Sequence, residues 1–279
     1  MTLTAEGTSR YVQAGDVKIH YHEAGDGPTV VAIHGGAPGA FGWGNFGRNM
    51  DALSQHFRMI IVDLPGYGKS DKPSVTGGAF GFYANIFKDF LDALNIEKAH
   101  VMGMAMGAGA AMMMALNYPE RVDRLVLVSA AGGPILFQPQ PSEGSKIVAG
   151  YYRGEGPTPE KMRKYLEVMM YDKSLITDEL VAERYEASID PETMDRAPGG
   201  RTGDRPVLES VWKDMDRIRA KTLVVWGRDN RLRSYDSALF MLNQIPDVQV
   251  HIFGKTGLWV PWERSTEFNR LVTGFLSDS

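Results

Sequence analysis

The sequence predicts an α/β protein built on a mostly parallel, doubly wound sheet with a helical insertion. Short continuous apolar runs ended by glycine recur along the chain with helical patterns between several of them, the signature of buried parallel strands. One long stretch, from about Gly133 to Ser210, breaks that rhythm and contains no such run.

The elements follow in order. SRYVQAGDVKIHYHEAG (9–25) alternates, is rich in β-branched residues and has Gly-Asp at its middle, predicting a hairpin. TVVAIHG (29–35) is apolar without alternation, predicting a strand covered on both faces. FRMIIVDLPG, AHVMGMAMG, RLVLVSAAG, KTLVVWGRD and VQVHIFGKTG repeat the pattern, and YANIFKDFLDALNI and GAGAAMMMALNYPERV read as helices between them. In the interruption, GPILFQPQPSEGSKIV is punctuated by proline and glycine, PTPEKMRKYLEVMMYD and TDELVAERYEASI read as capped amphipathic helices, and DRAPGGRTGDRP reads as a loop. The expected division is a core of residues 1–133 and 211–279 with a helical lid over 134–210.

Composition narrows the function. The 279 residues are 43% hydrophobic, enough for a sizeable core. Thirty Lys and Arg stand against 34 Asp and Glu, with no dense basic run, which disfavours nucleic acid and favours a small-molecule partner. There are no cysteines, hence no disulfide, thiol nucleophile or thiolate metal site. No H-E-x-x-H occurs and no histidine pair has helical spacing, so neither a metal nor another cofactor is expected. No apolar run approaches the roughly 20 residues of a membrane helix and no signal-like start is visible, giving the expectation of a cytoplasmic protein.

One stretch concentrates the chemistry. In MGMAMGAGAA (102–111), Gly103, Met104, Ala105, Met106 and Gly107 follow the spacing G-x-S-x-G with alanine in place of serine. Together with HGGAPGA after the first buried strand, DLPGYGKSD after the next and WGRDNR further on, this order resembles the α/β-hydrolase fold over nearly the whole chain. HGGAPGAFGWGNFGRNM, YDKSLITDELV, WGRDNR and GKTGLWVPWE look, more narrowly, like the meta-cleavage product hydrolases, which cut carbon–carbon bonds in 2-hydroxy-6-oxo-dienoates.

The resemblance implies a serine, a histidine and a carboxylate acting together. It puts the serine at Ala105, the carboxylate at Asn230 and the histidine at Leu258, with Met104 replacing an asparagine that precedes the serine in many members. Alanine cannot attack, leucine cannot carry a proton and asparagine cannot stabilise an imidazolium, so the ordinary triad route is closed. Three separated changes look like natural divergence rather than a single laboratory substitution. No other histidine offers a rescue: His34 reads as a brace behind the glycine loop, His251 as structural or surface, and His20, His22, His56 and His100 lie far along the chain. Asp229 has no histidine to orient.

Other parts of the site are expected to persist. Gly35 and Gly36, with the backbone N–H of Met106, would form an oxyanion hole that does not depend on a serine. The resemblance places substrate contacts at Asn45 and Trp259, and it matches Arg196 to the family's carboxylate-binding arginine, against the alternative of a solvated loop charge. Arg233 either adds a cation to the site or points into solvent. Met104, Met106, Leu258 and Phe137 are expected to make the pocket apolar, whereas Met112, Met113 and Met114 read as helix packing. The resemblance also implies a homo-oligomer, such as a dimer.

The sequence alone therefore suggests an enzyme that has left hydrolysis for cofactor-independent isomerisation, cyclisation, a pericyclic step or a lyase reaction on a polyene or dienone. A non-catalytic small-molecule-binding protein is the second reading, and residual hydrolysis by water the third.

Overall fold

A computed structural model describes residues 3–75, 77–196 and 207–278. Eight strands form one sheet: β1 (Ser9–Ala14), β2 (Val17–Ala24), β3 (Thr29–Ile33), β4 (Arg58–Val62), β5 (Ala99–Met104), β6 (Val122–Val128), β7 (Lys221–Gly227) and β8 (Val248–Phe253). Their order is β1-β2-β4-β3-β5-β6-β7-β8. The predicted hairpin is the antiparallel pair β1–β2, β2 joins β4 antiparallel, and every later pairing is parallel.

The helices are α1 (Ala5–Thr8), α2 (Gly42–Leu53), α3 (Ala79–Ala93), α4 (Met106–Asn117), α5 (Glu143–Gly150), α6 (Pro159–Met169), α7 (Asp178–Ser188), α8 (Pro191–Arg196), α9 (Asp236–Gln244), α10 (Val260–Glu263) and α11 (Ser265–Ser277). Successive strand residues face opposite sides, and the core divides accordingly. Val31, Ile33, Ile60 and Val62 join a layer with Phe80 and Phe87 of α3, Ala108 and Met112 of α4 and Met241 of α9. Val30, Ala32, Met59 and Ile61 face the other way, onto Phe46 and Met50 of α2, Phe268 and Val272 of α11, and Leu166 and Leu180 of α6 and α7. Helix α4 is apolar all round because it is enclosed between the sheet and α3; Met112 and Met114 are buried there, as expected of packing residues.

The interrupted stretch holds α5 to α8. Ser142, Thr158 and Thr177 cap α5, α6 and α7 by accepting from the N–H of Ser145, Lys161 and Leu180, and Pro159 opens α6. Two features depart from the expected pattern. The punctuated segment after Gly133 contains α5. Helix α3 begins at Ala79, ahead of the expected Tyr83, because the distant Glu209 carboxylate accepts from the N–H of Phe80 and Gly81 at 2.8 and 2.7 Å.

The chain enters the sheet centre at β3, adds β4 on one side and then β5 on the other. This reversal puts the topological switch point beyond the carboxyl ends of β3 and β5, the crevice position at which α/β proteins of this kind bind ligands. Ile33 pairs with Gly103, so the glycine loop after β3 and the elbow after β5 are neighbours.

Candidate active site

The elbow is a strained turn held from several sides. Ala105 has φ 48° and ψ −111°, outside the regions an alanine ordinarily occupies. Its N–H donates to Val128 O at 2.9 Å, and its carbonyl accepts from Ala131 N at 3.0 Å as well as from the first turn of α4. Gly107 allows the turn to close against β3: a Cβ there would lie 2.3 Å from Ile33 O.

Across the crevice, a Cβ built on Gly35 would lie 3.3 Å from the Ala105 Cβ. Gly36 is covered by the Met106 thioether and the Tyr67 hydroxyl, and a Cβ there would meet Met106 Cε at 2.1 Å. Among the described residues, neither the Gly36 N–H nor the Met106 N–H has an acceptor; Met106 is the first residue of α4, where helix geometry provides none. The loop is fixed from behind. Tyr67 donates to Gly36 O at 3.1 Å, and His34 donates from Nδ1 to Gly35 O at 2.6 Å while its Nε2 accepts from Leu64 N at 2.9 Å. Both nitrogens of His34 are thus occupied, and burial lowers its pKa to about 4. It is a neutral brace with no free nitrogen for proton transfer.

Asn230 and Leu258 follow the ends of β7 and β8, and both are buried. Asn230 Oδ1 accepts from the N–H of Leu232 and Arg233, each at 3.0 Å, and among the described residues its Nδ2 has no partner. Leu258 is held by its backbone: its N–H donates to Met169 O at 2.7 Å, and its carbonyl accepts from Ser129 Oγ at 3.2 Å.

The strongest feature of the crevice is a cation that sequence reasoning missed. Arg184, on α7, is fully buried. It donates from Nη1 to Gly39 O at 3.0 Å, and from Nη2 to Gly44 O and to Asn45 Oδ1 at 3.0 Å. Its guanidinium lies 4.3 Å from the Trp259 ring centroid, and among the described residues Nε has no acceptor. Among the described residues no carboxylate pairs with it. Burial lowers its pKa to about 10, which leaves it charged at neutral pH. Asn45 also donates from Nδ2 to the Met104 sulfur at 3.5 Å. Asn45, Met104 and Trp259 are therefore brought together as expected, around a cation that was not. The missed signal was one of spacing, since Arg184 follows Leu180 by four residues and Val181 by three, on the buried face of α7.

One expectation needs correcting. Phe137 does not line the pocket: it is 79% exposed, because Asp236 accepts from the N–H of Leu136 and Phe137 and ties down the backbone, leaving the ring outside. The expectation for Arg196 falls on a side chain outside the described residues. Arg233 turns inward, donating from Nη1 to Gly133 O at 3.3 Å, and burial lowers its pKa.

Comparison with known proteins gives a consistent result. Residues 28–265 match the α/β-hydrolase fold family. The chain is 38% identical, over 99% of its length and 98% of the relative's, to a 2-hydroxy-6-oxononadienedioate/2-hydroxy-6-oxononatrienedioate hydrolase of Paraburkholderia phymatum. It is 37% identical to a Pseudomonas putida hydrolase of the same name, over 99% of both chains. The solved meta-cleavage product hydrolase CumD of Pseudomonas fluorescens, a serine-to-alanine mutant complexed with acetates, is 36% identical with a TM-score of 0.83, over 96% of this chain and 97% of that one. These relatives are all hydrolases by name. They overturn the expectation of isomerase, cyclase or lyase chemistry, which had been inferred only by subtraction from Ala105, Asn230 and Leu258.

Proposed function

The chain belongs to the α/β-hydrolase fold family, and from that premise we propose that it hydrolyses the carbon–carbon bond beside the keto group of a 2-hydroxy-6-oxo-dienoate acid. The observation that carries this reading is Arg184. A guanidinium buried without a carboxylate partner is costly, and an anionic ligand supplies the missing charge. The substrate carboxylate lies against Arg184 and Asn45, and the polyene lies along Trp259 and Met104. The reacting carbonyl sits between the N–H groups of Gly36 and Met106, where negative charge on oxygen is stabilised as it develops.

With a methyl group at Ala105, water is the attacking species. Its oxygen bonds to the carbonyl carbon and the carbon–carbon bond then breaks. That electron pair passes into the dienoate fragment, a proton from the water is taken up there, and the other fragment leaves as a carboxylic acid. Helices α5 to α8 act as the lid that shields this step. Donors alone, without nucleophile and base, give roughly 10³- to 10⁴-fold over the uncatalysed reaction, so the expected turnover is slow.

The test is to incubate the protein with 2-hydroxy-6-oxonona-2,4-dienedioate, following the dienolate absorbance and identifying products by mass spectrometry. Cleavage to 2-hydroxypenta-2,4-dienoate and butanedioate is expected. Arg184→Lys should raise KM by roughly ten- to a hundredfold, since an ammonium cannot reproduce the planar guanidinium's contacts. Recovery of the compound uncleaved, or an unchanged KM in Arg184→Lys, would refute the proposal.

A further inference from the structure

Tyr165, on α6, is fully buried, and among the described residues its hydroxyl has no hydrogen-bond partner. Buried hydroxyls are normally satisfied, and one left unmatched calls for an explanation. Its surroundings supply one. The Tyr165 ring meets the Trp259 ring edge-on, with centroids 6.4 Å apart, and Trp259 is the ring against which Arg184 rests. The Arg184 Nε is likewise buried and without an acceptor. Two donors on different helices, α6 and α7, are therefore both unmatched around one indole. The guanidinium acts on the phenol, favouring its ionisation. Burial nonetheless raises the Tyr165 pKa far above the ordinary phenol value, which keeps its proton in place for donation.

We infer that Tyr165 is a substrate-binding residue: its hydroxyl and the Arg184 Nε–H donate to one carboxylate seated on Trp259. The inference rests on the proposed function, in which that carboxylate belongs to the dienoate, and it assigns a specificity role to a residue on a second helix. A carboxylate accepts from both donors, whereas a primary amide in the same place offers one oxygen and no charge. The pair therefore selects for the acid.

The experiment measures binding of hexa-2,4-dienoate and of hexa-2,4-dienamide by calorimetry, with thermal melting of the unliganded chains, for the unaltered protein, Tyr165→Phe and Arg184→Met. The unaltered protein should prefer the acid. Tyr165→Phe should bind the acid about tenfold or more weakly, with a smaller change for the amide, and melt at the same temperature or higher, because an unmatched polar group has been removed. A hydroxyl with a merely structural role would produce the opposite pattern, with lower melting and unchanged discrimination, and that result overturns the inference. If the preference is lost in Arg184→Met but intact in Tyr165→Phe, the role of Tyr165 falls while the carboxylate site stands. If the unaltered protein shows no preference for the acid, the proposed function itself fails and this inference with it.

Discussion

Rebuilding a nucleophilic triad is the sharpest perturbation the site allows: Ala105→Ser, Leu258→His and Asn230→Asp, separately and together. Ala105 already occupies the strained elbow, so a serine there needs no new backbone conformation. The acceptor that holds Asn230, its Oδ1, survives the change to aspartate and keeps the N–H of Leu232 and Arg233. What changes is the unpartnered Nδ2, a donor that becomes an acceptor, the group an imidazole N–H needs. Position 258 is anchored through its own N–H and carbonyl, to Met169 and Ser129, so its side chain can be exchanged without releasing the loop. Removing a whole triad costs about 10⁶-fold in kcat in a well-studied case, and restoring one should recover about 10⁴- to 10⁶-fold, or roughly 5 to 8 kcal/mol of barrier. Ala105→Ser alone should gain less than about tenfold, since a serine without a base is a weak nucleophile. The assay is the dienolate decay described above, with a burst of covalent intermediate sought by mass spectrometry. A triple variant that melts near the parent temperature yet cleaves no faster would refute the convergence of these three positions, and full activity from Ala105→Ser alone would refute the reasoning that expects slow turnover from the unaltered chain.

Two further predictions concern stability. His34 is held neutral, with a folded pKa of about 4 against about 6.5 unfolded, so the unfolded chain binds the extra proton and stability falls as the pH drops from about 6.5 towards 4. The loss reaches about 3 kcal/mol from His34, and His22, lowered to about 4 by burial, acts in the same direction. Denaturant midpoints should be flat above about pH 7 and fall through that window, and a rise on acidification would contradict the assignment. Ala105→Gly should raise the melting temperature by about 1–4 °C, because relief of roughly 1–3 kcal/mol of backbone strain outweighs about 0.4–1 kcal/mol of added freedom in the unfolded chain. Unchanged or lower melting would mean that the turn is relaxed.

The parallel strands were legible because each is a short apolar run followed by glycine, the first pair because it alternates around a Gly-Asp turn, and the elbow because Gly107 has to approach β3 so closely. The start of α3 was not, since the carboxylate that caps it belongs to Glu209, far away in the sequence. Arg184 was hidden by its company. It sits among Asp178, Glu179, Glu183 and Glu186 and reads as one more surface charge, until the spacing from Leu180 and Val181 is counted. Phe137 failed for the converse reason, an aromatic residue assumed to be inside whose backbone is tied down by Asp236. The reaction class was misjudged because missing side chains were taken to mean a missing reaction, whereas full-length relatives carry the name of hydrolases.

Arg184 also has a mechanical meaning. It stands on α7 and grips the carbonyls of Gly39 and Gly44, in the connection after β3 that also carries Gly35 and Gly36. The proposed carboxylate-binding cation and the helix that carries it are thus one piece of chain, latched to the segment that would stabilise the oxyanion. Lifting α7 away would release the latch and withdraw the cation in one movement, so the proposed acid site exists only while α7 is seated. An acid that neutralises Arg184 must therefore slow amide exchange and proteolysis in α7 in proportion to its affinity, and a neutral ligand of the same shape must not.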